Sequence, residues 1–341
     1  MKNFIKILAF ILIFIVIAVP LSNVFIIGIG NIGEMKSCSE YFYDMPENSV
    51  DVLYLGSSSM WAGVSPAIIY TETGAAGFNR STTVQTAPTT YAFLIEALQT
   101  QTPELVVLDA YSMFIPYDEV FMRSAVDAME YSPAKQTAID YYSDNLFTRL
   151  SFFVPYLRYC TSWDQVAPEK ILTYYKTVSA GYDYLCPMGG RISDNVYPFE
   201  MPKENYATTD EVTTPDSESE KYFRMIIELC QEKDIDVMVL TIPNSFSTYA
   251  DYNKMTSLCN EYGVKYFDLA LISDELGVDC QKDFSDSGIH MNVYGNVKVS
   301  RYVAQLIKDN YDIPDRRGQQ GYEFYDEYCK TFAEKNAKYL K

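Results

Sequence analysis

Short, almost continuous apolar runs alternate with amphipathic segments along much of the chain. Val52 to Leu55, Leu105 to Leu108, Ile235 to Leu240 and Val264 to Leu269 are runs of this kind, and Ala75 to Asn79 is a shorter one that ends in polar residues. Apolar stretches this short and this continuous fit strands buried on both faces of a parallel sheet. Helices are predicted between them at Pro66 to Tyr70, from Pro88 through Tyr91 to Leu98, at Lys221 to Glu232 and at Tyr252 to Tyr262. A final helix from Val293 to Ile307 carries Val299, Val303, Leu306 and Ile307 on one stripe. Strands and helices alternating at this spacing predict five parallel strands in a doubly wound α/β sheet.

The rhythm breaks between about residues 113 and 217, where no strand stands out. Helices are predicted there at 134 to 150 and 165 to 178, amid Tyr141, Tyr142, Phe152, Phe153, Tyr156, Tyr159, Trp163, Tyr174 and Tyr175. An insertion of this length exceeds what a crossover needs. Its aromatics either pack it onto the core or make it a substrate-side cap, since tyrosine and tryptophan pair an apolar face with a polar edge that suits sugars. Ala207 to Glu220 reads as a solvated acidic loop, and residues 313 to 341 as a charged, partly helical tail.

The amino terminus has its own pattern. Ile7 to Val19 carries no polar side chain, Pro20 to Asn23 interrupts it, and Val24 to Ile27 resumes it. As one helix this stretch would cross a bilayer core of about 30 Å; counted only to Val19 it is the core of a signal peptide. No clean small-x-small cleavage site follows, which favours an uncleaved anchor within residues 1 to 30. Lys2 and Lys6, with no further basic residue before Lys36, put the amino end in the cytoplasm and the domain outside. Residues 31 to 47 read as a connector, a stalk carrying an α/β domain over 48 to 312.

Charge narrows the function classes. With 27 Lys plus Arg against 45 Asp plus Glu, the formal charge is -18. That balance argues against nucleic acid, which needs a concentrated cationic face. The cysteines at 38, 160, 186, 230, 259, 280 and 329 show no Cys-x-x-Cys spacing, so no zinc site is expected and no metal or organic cofactor is implied.

The candidate chemistry sits at two places. Strand Val52 to Leu55 runs into Gly56, Ser57, Ser58 and Ser59. Ligands of open α/β sheets bind at this carboxyl end of the strands. The single histidine, His290, follows the polar stretch Asp283-Phe-Ser-Asp-Ser-Gly-Ile. A serine needs a base to take its proton, and a carboxylate just upstream of a histidine can hold the imidazole ready for that. The plainer reading makes His290 a helix-entry residue and the serines a capped turn. Asn244, at the end of the Ile235 run, is either a substrate contact or a turn cap.

Leu55-Gly56-Ser57-Ser58 together with Asp286-Ser-Gly-Ile-His290-Met-Asn resembles the SGNH/GDSL hydrolases, in the bacterial cell-surface branch whose first motif reads Gly-Ser-Ser. The resemblance spans about residues 48 to 312 and implies a three-layer, flavodoxin-like sandwich on a five-stranded parallel sheet. It makes Ser58 the nucleophile, His290 the base and Asp286 its orienter, with Asp283 as the other candidate. The family spaces aspartate three before histidine, a place held here by Ser287, so one extra loop residue is implied. The family's oxyanion glycine and asparagine have no clear match, which leaves the N–H of Ser58 together with Ser57, Asn79, Ser81 or Gln85 as candidates. The expected activity is removal of O-acyl groups, most simply acetyl, from a surface glycan. Two other readings stay open: an O-acyltransferase fed by a membrane-bound acyltransferase, and a non-catalytic glycan-binding or assembly protein on the same fold.

Overall fold

The apolar runs form a single all-parallel sheet of five strands in the order β2-β1-β3-β4-β5. The computed structural model describes residues 2 to 116, 119 to 143, 145 to 179 and 187 to 340. Cys186 and the Trp163 side chain lie outside the described residues. In chain order, α1 (Lys2–Ile26) and α2 (Ile32–Tyr43) precede β1 (Val52–Leu55), α3 (Ser58–Gly63) and α4 (Pro66–Thr73). Next come β2 (Gly77–Asn79), α5 (Ala87–Ala97) and β3 (Leu105–Asp109). The insertion holds α6 (Glu119–Ala128), α7 (Pro133–Tyr142), α8 (Leu146–Phe153), α9 (Tyr156–Tyr159) and α10 (Pro168–Ser179). The chain then adds α11 (Ser217–Glu232), β4 (Asp236–Thr241), α12 (Tyr249–Tyr262), β5 (Lys265–Asp268), α13 (Val293–Asn310) and α14 (Glu323–Lys335).

The sheet has a layer on each face because successive strand residues point to opposite sides. Leu53, Leu55, Val106, Leu108, Val237 and Val239 pack into the core shared with α5, α11 and α12. Val52, Tyr54, Leu105, Val107, Met238 and Leu240 join the opposite core, filled by Val299, Val303 and Ile307 of α13. Each such side chain contributes roughly 1.5–3 kcal/mol on burial, so a one-residue slip of any central strand is strongly disfavoured. Parallel pairing brings Leu55 level with Leu108, and Asp109 level with Leu240, so all carboxyl ends lie along one edge.

Two expectations change. Residues 31 to 47 are no stalk: α2 buries Ile32, Met35, Cys38, Tyr41 and Phe42, and Phe42 packs edge-on against Phe78 of β2. The helix expected over 134 to 150 is two helices, because Ser143 leaves helical geometry (ψ 104°) and Asn145 caps α8 through the Thr148 N–H. Within the insertion, Tyr142, Phe152 and Tyr174 are buried and Tyr141 packs edge-on against Tyr222 of α11. For these four rings the packing reading holds. The tail also joins the fold, since Tyr325 of α14 is fully buried and stacks on Tyr70 at 5.2 Å.

α1 is a 25-residue apolar helix, and its stretch Asn3–Ile26 is long and apolar enough to cross a membrane.

Candidate active site

The turn after β1 is built around Asp109, the last residue of β3. Its Oδ2 accepts from the Ser57 N–H at 3.0 Å and from the Ser57 hydroxyl at 2.6 Å, while its Oδ1 accepts from the Tyr111 N–H at 3.1 Å. Gly56 is required here, because a Cβ would stand 2.1 Å from the Asp109 Cβ. Burial pushes the Asp109 carboxyl up from its ordinary pKa, against the lowering effect of the Ser57 and Tyr111 donors. Ser57 thereby becomes the cap of α3, and Ser58 its first residue, with an N–H that has no partner within the helix. The Ser58 hydroxyl faces the loop before α13.

That loop presents His290. Its Nε2 lies 2.8 Å from the Ser58 Oγ, and its Nδ1 lies 2.5 Å from the Asp286 Oδ2. A carboxylate can only accept, so Nδ1 carries the proton and Nε2 faces the serine as an acceptor. The other carboxylate oxygen, Oδ1, accepts from the N–H groups of Ile289 and His290 at 2.8 and 2.9 Å. This turn accounts for the four-residue spacing: one carboxylate oxygen holds the backbone, leaving the other for the ring. Gly288 absorbs the extra residue at φ +88°, and a Cβ there would meet the Phe199 ring at 2.5 Å. The loop is pinned to the end of β4, where the Ser245 N–H donates to the Gly288 carbonyl at 2.8 Å.

Asp283 is elsewhere. It is fully buried, bonded to the Asp279 N–H at 2.7 Å and paired with Lys298 at 2.5 Å.

The other predicted residues do not line the cavity around Ser58. The Asn79 amide donates to the carbonyls of Met60 and Val64, both at 3.0 Å, which ties α3 to β2. Gln85 is held between Thr82 and Thr90 inside the core. Ser81 is buried, and its hydroxyl has no partner among the described residues. Asn244 is a turn cap, accepting from the N–H groups of Phe246 and Ser247 at 2.9 and 2.7 Å.

The cavity itself is about 270 Å³ and exposes Ser58 and His290 beside Trp61, Thr83, Arg191 and Asn195. Thr83 and the segment 191 to 195 went unnoticed in the sequence. Thr83 stands one residue before Val84, whose φ is +49°, and no periodicity marks such a loop. The 189 to 197 strap is likewise irregular, and it is positioned by other elements. Trp61 Nε1 donates to the Gly189 carbonyl at 2.8 Å, the Arg191 N–H to the Trp61 carbonyl at 2.8 Å, and the Val293 N–H to the Ser193 carbonyl at 2.8 Å. The strap thus joins α3 to the histidine loop and walls the cavity. Arg191 lies over the Trp61 ring at 5.6 Å and pairs with Glu34 of α2 at 3.1 Å. A second cavity of about 500 Å³ shares Asn31, Arg191 and Ser193 with the first and reaches Tyr174 and Lys170 of α10.

No protein-family model matches the chain. No curated protein matches it either. Among solved structures, it is similar to a provisionally assigned acylhydrolase from Bacteroides fragilis, with a TM-score of 0.39 and 10% identity, covering 80% of this chain and 94% of that one. It is also similar to a gut microbial diltiazem-metabolizing enzyme, with a TM-score of 0.28 and 13% identity, covering 78% of this chain and 47% of that one. Similarity this distant carries no argument about activity.

Proposed function

We propose that the protein is a membrane-anchored serine esterase that removes O-acyl groups, most simply acetyl, from a glycan outside the cytoplasm. The observation that carries this is the unbroken relay Ser58–His290–Asp286, at 2.8 and 2.5 Å, opening into a cavity. Ser58 Oγ attacks the ester carbonyl as its proton passes to His290 Nε2, and Asp286 stabilises the imidazolium that forms. His290 returns that proton to the departing sugar oxygen, leaving an acyl group on Ser58. Water, deprotonated by the same imidazole, then releases the acid. The Ser58 N–H, which has no partner among the described residues, and Thr83 are the groups at hand to receive the developing oxyanion. The apolar, bilayer-length α1 supports the anchored location, and Lys2 and Lys6 support an amino end on the cytoplasmic side.

One observation favours a second reading, transfer to a sugar hydroxyl in place of water. The cavity wall includes Asn31, just beyond α1, and the adjoining cavity provides room for an acceptor beside Ser58. An acyl group handed over by a membrane-bound acyltransferase would arrive from that side.

The test is labelling of the folded protein by a fluorophosphonate, comparing wild type with Ser58→Ala and His290→Ala. Labelling lost in both variants is expected. An unlabelled wild type would make a non-catalytic glycan-binding or assembly role the better account.

A further inference from the structure

Asn3–Ile26 would measure about 36 Å as a helix, but only residues 3 to 17 are exposed throughout. Those fifteen residues span about 22 Å, roughly 8 Å short of a hydrocarbon core of about 30 Å. The remaining turns are partly covered by the domain: Ile26, Ile29 and Ile32 form a small core with Tyr159 and Val166, and α9 packs against α1. If α1 spans a bilayer, the surface around these turns must sit within it.

The element joined to α9 has the composition for that. α8 exposes Leu146 (71%), Phe147 (60%), Leu150 (46%) and Phe153 (41%), while its opposite side buries Ser151 and Phe152. Leu146, Leu150 and Phe153, at i, i+4 and i+7, share one helical face, and Phe147, three before Leu150, widens it. Exposed Tyr131 extends the patch, with its ring 5.6 Å from that of Phe153, and exposed Tyr156 follows on α9. The one charged residue within α8 itself, Arg149, is paired with Asp140 at 3.0 Å. An apolar face edged with tyrosines is the composition of an interfacial helix, and such helices sink about 5–10 Å, which matches the missing length of α1.

We propose that the apolar face of α8, with Tyr131 and Tyr156, seats the domain on the same bilayer that α1 spans. This rests on the anchor reading of α1. It holds the Ser58 cavity, walled by Asn31, close over the membrane surface, so the ester reached is one displayed at that surface.

The experiment uses the full chain in phosphatidylcholine and phosphatidylglycerol vesicles containing a phospholipid with a diazirine in its acyl chain. After irradiation, adducts are mapped by mass spectrometry. Adducts on α1 and on residues 146 to 156, with none on α12, are expected. The variant Phe147→Ser with Leu150→Ser should lose most of the 146 to 156 adducts, at least fivefold, while keeping fluorophosphonate labelling of Ser58. Adducts on α1 alone would overturn the seating while leaving the anchor intact. The same would follow if residues 146 to 156 escaped lipid but were shielded from a water-soluble label, as by a second copy or a partner protein. A chain with no adducts on α1 would overturn the anchor reading and the seating together.

Discussion

Ser57 and Ser58 are neighbours in sequence, and each is answered by a carboxylate, yet the two arrangements differ in kind. Ser57 bonds Asp109 directly at 2.6 Å, fully buried among sheet ends. Ser58 reaches Asp286 only through the imidazole of His290, which is about one-third exposed at a cavity wall. A buried carboxylate that touches a serine directly receives its hydrogen bond and fixes the turn. A carboxylate separated from the serine by an imidazole lets the hydroxyl surrender its proton without being charged itself. On the proposed function the first pair holds the scaffold and the second supplies the chemistry, and variants can separate the two roles.

The largest expected effect is on the histidine side. Asp286→Asn should reduce labelling and ester hydrolysis by roughly 10²–10⁴-fold while the protein stays folded, because the amide no longer fixes the imidazole tautomer. Asp283→Asn should leave the labelling rate within about threefold and lower thermal stability instead, since Asp283 pairs with Lys298 away from the cavity. Equal losses of activity in the two variants would erase the distinction between the aspartates. Gly288→Ala comes next: the left-handed backbone and the contact with Phe199 should displace the Asp286–His290 turn, costing about 1–3 kcal/mol and roughly 10–100-fold in rate. Rate and circular-dichroism melting together check it.

On the scaffold side, Ser57→Ala should destabilise by roughly 1.5–3 kcal/mol, since it strips a buried carboxylate of its hydroxyl donor. Its effect on labelling should be much smaller than that of Asp286→Asn. The gentlest prediction concerns pH. The Asp109 pKa is raised by burial, so its contribution to stability is fully present below the ordinary carboxylate range, about 3.9, and is lost as pH rises through the folded value. Ser57→Ala removes a donor that lowers this pKa and should extend the loss to higher pH; Asp109→Asn should flatten it. Melting temperature against pH for the three proteins reads out both slopes.

The sequence made the chemical pair more legible than its surroundings. Gly56 to Ser58 follows an apolar run that fits a buried strand, and His290 has no rival in the chain. α2 was opaque for a physical reason. Ser37 and Ser39, which suggest loop, are buried and return their hydroxyls to the carbonyls of Glu34 and Met35, one turn back in their own helix. Asn79 and Gln85 looked available because sequence cannot reveal that their amides are already committed to Met60, Val64 and Thr90. The strap at 189 to 197 is held by contacts from α3 and the histidine loop, so nothing local in its composition announces it.

The central claim is that of two adjacent serines only Ser58 is activated, and mapping the fluorophosphonate adduct to a residue tests it most directly. Wild-type protein labelled at neutral pH, digested and sequenced by tandem mass spectrometry should carry the adduct on Ser58, at close to one per chain, with Ser57 and Ser59 unmodified. An adduct on Ser57, or none on a folded protein, would contradict the account.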